Sequence, residues 1–273
     1  MWKLYDELIE EIPSDITVDN ITVGLSWTAV TAGKYSGAAM TVREQQGLDL
    51  ESLGSRRGQP LRYLAALSKS WNFMEASIGV AAVNAYFNNK DTWKSTAASG
   101  QTPWKIASSE NAFDAYGQTV LGKRVAVIGH FHQLEKYLTG AREVSVLERR
   151  PSGDDYPDSA CEYLLPQQDF VFITGATLVN KTLPRLLELS KNAKVILVGP
   201  SSPMTPILFS YGVEEISGFM VGSSQALIDS VAIAGHKAFF QCGERVRMIR
   251  KSGQQEIAEQ VSKTGSLMNK EED

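Results

Sequence analysis

The stretch RVAVIGHFHQLEKY, residues 124–137, sets two imidazoles, His130 and His132, directly after a glycine that closes an apolar, β-branched run. Imidazole titrates near neutrality, so His130 is a candidate to move a proton or to hydrogen-bond a polar ligand. A pair of histidines also raises metal chemistry. Zinc needs three or four ligands at regular spacing. No Cys, Asp or Glu accompanies this pair at such spacing, and His236 is far away in sequence, so no metal ligand is assigned. Glu148 closes the next apolar run, EVSVLE, 19 residues after Gly129. A carboxylate there suits a ribose hydroxyl in nucleotide-binding sheets, or acid/base work beside His130.

The turn itself argues against a dinucleotide. A GxGxxG turn uses its second glycine to bring backbone against a pyrophosphate. Here Phe131 occupies that place and blocks the approach. NAD(P) is disfavoured, while a nucleoside-type ligand or a divalent metal stays open. Two further turns are polar. Thr174-Gly175-Ala176-Thr177 runs on to Asn180 ahead of a helix start at Thr182-Leu183-Pro184, where Thr182 suits the N-cap. Gly199 to Pro206, GPSSPMTP, is a proline-stiffened turn with Ser201 as its ligand contact. It has no GxSxG elbow, so a serine hydrolase is set aside. Asn84 is the one strongly polar residue inside the apolar IGVAAVNAYF; it either bonds nearby backbone or completes a cleft. Lys34 and Arg43 are candidate anion contacts.

These residues need a frame. From Lys123 on, the runs RVAVIG, EVSVLE, DFVFITG, AKVILVG and VEEISGFMV alternate with helical stretches. That alternation predicts a parallel sheet with helical crossovers, a Rossmann-like domain over 106–251. FFQCGERVRMIRK adds a last strand, and residues 153–168 read as an irregular crossover. Before it, WKLYDELIEEI has helical spacing up to Pro13. Ile21, Val23 and Leu25 alternate as in a strand, TAVTAG and SGAAMTVRE follow, and Gly33 and Gly37 mark the turn between those two. A helix from Pro60, a buried helix over NFMEASIGVAAVNAYFNN and a linker over Lys90–Pro103 complete an α+β domain, 1–105. A polar tail fills 252–273. The fold class is therefore α/β, an α+β unit followed by a Rossmann-like domain. Ligands of such proteins sit between the two.

The 273 residues are 43% hydrophobic and 21% charged with net charge -4, an ordinary globular composition without the basic face that nucleic acid demands. Arg245, Arg247, Arg250 and Lys251 are expected on a solvated strand edge or tail. No apolar run is long enough to span a bilayer, and the amphipathic start is no signal peptide. Two distant cysteines give no disulfide framework. A cytoplasmic protein with a small-molecule ligand, no nucleic-acid or membrane partner, and room for homo-oligomerisation is expected.

VIGHFHQLEKY, VSVLERRP, DFVFITGATLVNKTL and VILVGPSSPMTPILFSYGVEEISG together resemble the heavy-metal chelation family, formerly a domain of unknown function. The resemblance implies an enolase N-terminal-like meander with helices before a Rossmann-like domain, and a ligand cleft between the two. It also implies a link to small chelating or pterin-like molecules, with the metal association not requiring protein ligands. An enzyme acting on a small polar or heterocyclic metabolite by condensation, hydrolysis or group transfer is the leading expectation. His130 and Glu148 would carry the chemistry. Gly129, Phe131, Thr174, Gly175, Thr177, Asn180, Gly199, Ser201 and Asn84 would line the site. A non-catalytic carrier of a metal or chelate, and an S-adenosylmethionine-dependent methyltransferase, are the alternatives.

Overall fold

A computed structural model describes residues 2–43, 55–97, 102–107, 110–131, 133–234 and 236–251. His132 and the polar tail over 252–273 lie outside the described residues.

Helix α1 (Lys3–Glu10) buries Leu4, Tyr5 and Leu8 along one face, as its spacing predicts. The Tyr5 hydroxyl donates to the Leu178 carbonyl at 2.8 Å, so the first helix is already tied to the second half of the chain. Strands β1 (Asn20–Val23), β2 (Trp27–Ala32) and β3 (Tyr35–Met40) form an antiparallel meander in that order. Gly33 makes the β2–β3 turn at φ 59°. Two expectations fail here. Leu25 lies beyond β1 and is 55% exposed. Gly37 is not a turn residue but sits inside β3, where a Cβ would run into the backbone of Ala81, Asn84 and Ala85. Its missing side chain lets the meander lie directly on a helix.

After the short α2 (Leu61–Ala65), that helix is α3 (Phe73–Phe87). Asn72 caps it by accepting from the N–H groups of Met74 and Glu75. Its small residues are buried all round. The stretch expected as a linker holds α4 (Lys90–Ala97) instead. Its surface is polar enough to pass for a linker. Buried Trp93 docks it, with Nε1 donating to the Phe87 carbonyl at 2.6 Å.

The second sheet has eight strands among the described residues, in the order β4-β11-β10-β9-β8-β5-β6-β7. They are β4 (Trp104–Ala107), β5 (Arg124–Ile128), β6 (Glu143–Glu148), β7 (Tyr156–Pro157), β8 (Phe170–Thr174), β9 (Lys194–Val198), β10 (Val213–Val221) and β11 (Gly243–Arg250). Strands β5 to β10 pair in parallel. The middle strands β5, β8 and β9 bury nearly every residue, which is why their sequences run apolar without alternation. β11 and β4 add antiparallel neighbours on one side. The boundary drawn at residue 105 falls inside β4, a strand of this sheet.

Helices α5 (Ala112–Tyr116), α6 (Leu134–Tyr137), α8 (Leu183–Leu189), α9 (Ser224–Ala232) and α10 (His236–Phe239) separate the strands. The expected TPILFSYG helix is a 3-10 stretch, Pro206–Tyr211. Residues 153–168, expected as an irregular crossover, hold β7 and then α7 (Cys161–Leu164) between two 3-10 stretches, Asp158–Ala160 and Leu165–Gln167. On the β10–β11 face, Arg247 and Glu215 make a doubly bonded ion pair at 2.6 and 2.9 Å, both side chains buried. Tyr116 donates to the same carboxylate at 3.0 Å.

The two halves are joined by amides from the end of α3. Asn88 Nδ2 donates to the carbonyls of Ser202 and Phe219, each at 3.1 Å. Its Oδ1 accepts from the Met204 N–H at 2.8 Å. Among the described residues, no helix is long and apolar enough to cross a membrane.

Candidate functional site

From β5 the chain moves to β6 on one side, then returns to β8 on the other, so the β5 and β8 ends flank a topological switch point. Parallel sheets open a crevice at such a point. Here it is a groove of about 1320 Å³ whose floor is the strand ends and whose far wall includes Trp27 and Met40 to Arg43 of the first domain.

Nine of the eleven expected site residues line this groove: Gly129, His130, Phe131, Glu148, Thr174 and Thr177, with Asn180, Gly199 and Ser201. Gly129 takes φ 98°, and a Cβ there would stand 3.0 Å from the Thr174 methyl. The β5 turn therefore fits only as glycine. Gly199, at φ 103°, faces open space. Phe131 packs edge-on against Phe113, with centroids 5.1 Å apart, and makes an aromatic wall where a pyrophosphate would need backbone.

Two expected residues stand elsewhere. Gly175 lies behind the wall, where a Cβ would come within 2.5 Å of Ser202 N. Asn84 is fully buried between the domains and donates to Ala38 O at 2.8 Å and Pro200 O at 3.1 Å. It is a strut, not a lining residue. Ser201 Oγ likewise accepts from Met40 N–H at 2.9 Å. Thr182 does not cap α8; Asn180 Oδ1 accepts from its N–H at 3.1 Å and its hydroxyl at 2.7 Å. Lys34 is paired with Asp91 outside the groove at 2.8 Å, whereas Arg43 does line it.

His130 Nδ1 lies 3.1 Å from Asp155 Oδ2, and the Asp155 side chain is 7% exposed against 55% for His130. Burial raises the Asp155 carboxyl, but hydrogen bonds from the Ser152 N–H and His130 outweigh it and hold the group below its ordinary value. An ionised Asp155 fixes the proton on Nδ1 and leaves Nε2 with its lone pair. Glu148 is pinned differently: it accepts from the Arg149 N–H at 2.8 Å and the His130 N–H at 3.4 Å. It shapes the turn and keeps lone pairs for a ligand hydroxyl or N–H.

The lining is basic although the chain is acidic. Arg43, Arg149, Arg150, Lys181, Arg185 and Arg245 face three carboxylates, Glu148, Asp158 and Glu162. Lys181 is the unusual one. It is 5% exposed, takes φ 67°, and its Nζ donates to Val179 O at 2.8 Å. Burial lowers its pKa to about 8. Below pH 8 both states hold the proton and the fold bears the full cost of a desolvated ammonium, about 3 kcal/mol. Between about pH 8 and 10.5 the unfolded chain keeps a proton that the fold has released, so the cost fades as pH rises. Lys181→Met loses one hydrogen bond worth about 1 kcal/mol. It should thus melt about 4–8 °C above wild type at pH 7. The difference should shrink above pH 10. An unchanged or lower melting temperature at pH 7 would contradict the burial cost.

Among the described residues, no three His, Cys, Asp or Glu side chains gather as a ligand set. Cys161, which lines the groove, has its thiol pushed up to about 12 by burial, so it offers no thiolate.

Asp155, Lys181 and Asn88 were not singled out from sequence. Lys181 adjoins the flagged turn, and its place beside Asn180 was the available signal. Asp155 sits in a crossover without periodicity, and nothing local aims it at His130.

Fold and groove together define a two-domain α/β protein with its cleft at the switch point. Family models match residues 111–249 and 5–87, and both are described as "putative heavy-metal chelation". The chain belongs to that family. An uncharacterized protein of Methanocaldococcus jannaschii is 31% identical over 227 residues, 77% of this chain and 81% of that one. A crystal structure from Desulfitobacterium hafniense, of a DUF364-family protein of unknown function, superposes with TM-score 0.83 at 38% identity, covering 92% of this chain and 99% of that one. Another DUF364-family structure, from Pyrococcus horikoshii, shares the fold at TM-score 0.72 and 22% identity, covering 89% and 97%.

Proposed function

We propose that the cleft binds a small polar, ring-bearing metabolite of the chelator, pterin or flavin-precursor kind and that His130 moves a proton on it. The observation that carries this is the His130–Asp155 pair, an exposed groove-lining imidazole held by a half-buried carboxylate behind it. Condensation, hydrolysis and group transfer share one requirement. A nucleophile must lose a proton and a leaving group must gain one. Nε2 of a tautomer fixed by Asp155 does both in turn. Glu148 accepts a hydrogen bond from a hydroxyl or N–H of the ligand and so positions it. The Phe113–Phe131 wall supplies a face for a flat ring. Metal reaches such a site as part of the ligand, because the described side chains offer no set to hold it alone.

A thermal-shift screen of pterins, flavin precursors, nucleotides, S-adenosylmethionine, metals and their chelates identifies the ligand, since a molecule that binds only the folded state raises its melting temperature. With a turned-over ligand in hand, His130→Ala should lower kcat by about 10²- to 10⁴-fold. Asp155→Asn should fall in the same direction by freeing the wrong tautomer. Turnover by His130→Ala at the wild-type rate would remove the proton role. Tight binding with no turnover of any ligand in wild type would favour a carrier of a chelate.

A further inference from the structure

Two groove cations are held in an uneven way. Arg185 is saturated: it bonds Glu162 at 2.7 and 3.0 Å and Glu188 at 2.9 Å. Lys181 has no carboxylate within ion-pairing distance among the described residues, although it is nearly sealed from water. What it has instead is aromatic. Its Nζ stands 5.4 Å from the Phe73 ring centroid and 6.0 Å from that of Trp71. Arg149 lies over the same Phe73 ring at 5.4 Å, and its carboxylate neighbour Asp158 is at 3.9 Å. Ring faces steady a cation without cancelling its charge. So one phenyl ring of the first domain gathers two positive charges from two different turns of the second, and both line the groove.

A desolvated ammonium with no carboxylate beside it is unfavourable by itself. The chain also holds Lys181 in the left-handed region at φ 67°, which a lysine adopts only under constraint. An oxyanion reaching Lys181 would supply the missing counter-charge, and charge-assisted hydrogen bonds to an anion are the strong ones. Lys181 follows the Asn180 that lines the groove, and Arg149 follows Glu148, so this spot adjoins the proton carrier's neighbours.

We propose that Lys181 and Arg149, backed by Phe73, form an oxyanion subsite that takes a carboxylate or phosphate group of the cleft's ligand. The subsite deepens the reading of the cleft given above and rests on it for the identity of the rest of the ligand. It defines the substrate class as acids: a ring-bearing molecule with at least one ionised oxyanion, rather than a neutral nucleoside or base. The depressed basicity of Lys181 agrees with a charge waiting for such a group.

The test uses the full chain with two probes, inorganic phosphate and malonate, each titrated at ionic strength kept constant with chloride. Wild type should melt higher as one or both probes are added. Lys181→Met and Arg149→Met, each first shown to melt cooperatively, should need at least tenfold more probe for the same shift. A response to phosphate alone assigns a phosphorylated ligand, and to malonate alone a carboxylated one. No response in wild type to either probe, or equal responses in wild type and Lys181→Met, overturns the subsite. Neither result touches the proton role of His130, which is read from turnover.

Discussion

Replacing Asn88 with alanine should cost about 3–5 kcal/mol of stability. The side chain is 3% exposed and spends three hydrogen bonds on the other domain, at the carbonyls of Ser202 and Phe219 and the N–H of Met204. Truncation strands three buried backbone groups, each worth about 1–3 kcal/mol when left unmade. The melting temperature should fall by roughly 10 °C. Urea unfolding with an unchanged slope would show that stability, not the exposed area, has moved. Because Phe219 lines the groove, the variant should also bind cleft ligands more weakly. A loss below about 1 kcal/mol would mean that water replaces the amide and that the clasp is dispensable.

Arg247→Met should be comparably damaging, by about 3–5 kcal/mol. Glu215 has a side chain 1% exposed and depends on that guanidinium through two bonds. Removing one partner of a buried pair leaves an uncompensated charge, whereas removing both is far cheaper. Arg247→Met combined with Glu215→Leu should therefore recover much of the loss. The Tyr116 hydroxyl, held well above its ordinary pKa by burial and by Glu215, would be left without its acceptor and limits that recovery. Chemical denaturation of the four proteins in the cycle gives the coupling. Near-additive losses would contradict the dependence of Glu215 on Arg247.

The second domain was legible because its strands are buried on both faces. Val125–Ile128, Val171–Ile173 and Val195–Val198 read as continuous apolar runs, and each run is a strand. The turns that follow them inherit their place from the topology, so His130, Glu148 and Thr174 could be put at one groove before any contact was known. β4 escaped notice because WKIA is four residues long and exposes two of them. Helix α4 escaped because its polar sequence hides the docking residues Thr92 and Trp93. Gly37 misled for a physical reason as well: a glycine that admits a neighbouring helix looks the same in sequence as one that turns the chain. Asn84 and Asn88 are one helical turn apart. The sequence offered no way to see that the second carries more bonds than the first, since all three partners of Asn88 are backbone atoms more than a hundred residues away.

The position of β4 has a consequence for how the chain assembles during synthesis. It leaves the ribosome before every other strand of its sheet, yet its neighbour is the last of them, with Ala107 opposite Arg247 and Trp104 opposite Arg250. The meander and α3 can close early from nearby sequence. The eight-stranded layer stays open at one edge until residue 250 is available. Pairing of such sequence-distant strands bears a large loop-closure entropy and is slow. A nascent chain that stops short of β11 therefore presents the unpaired side of β10, a strand of nine residues, to its neighbours in a crowded cell.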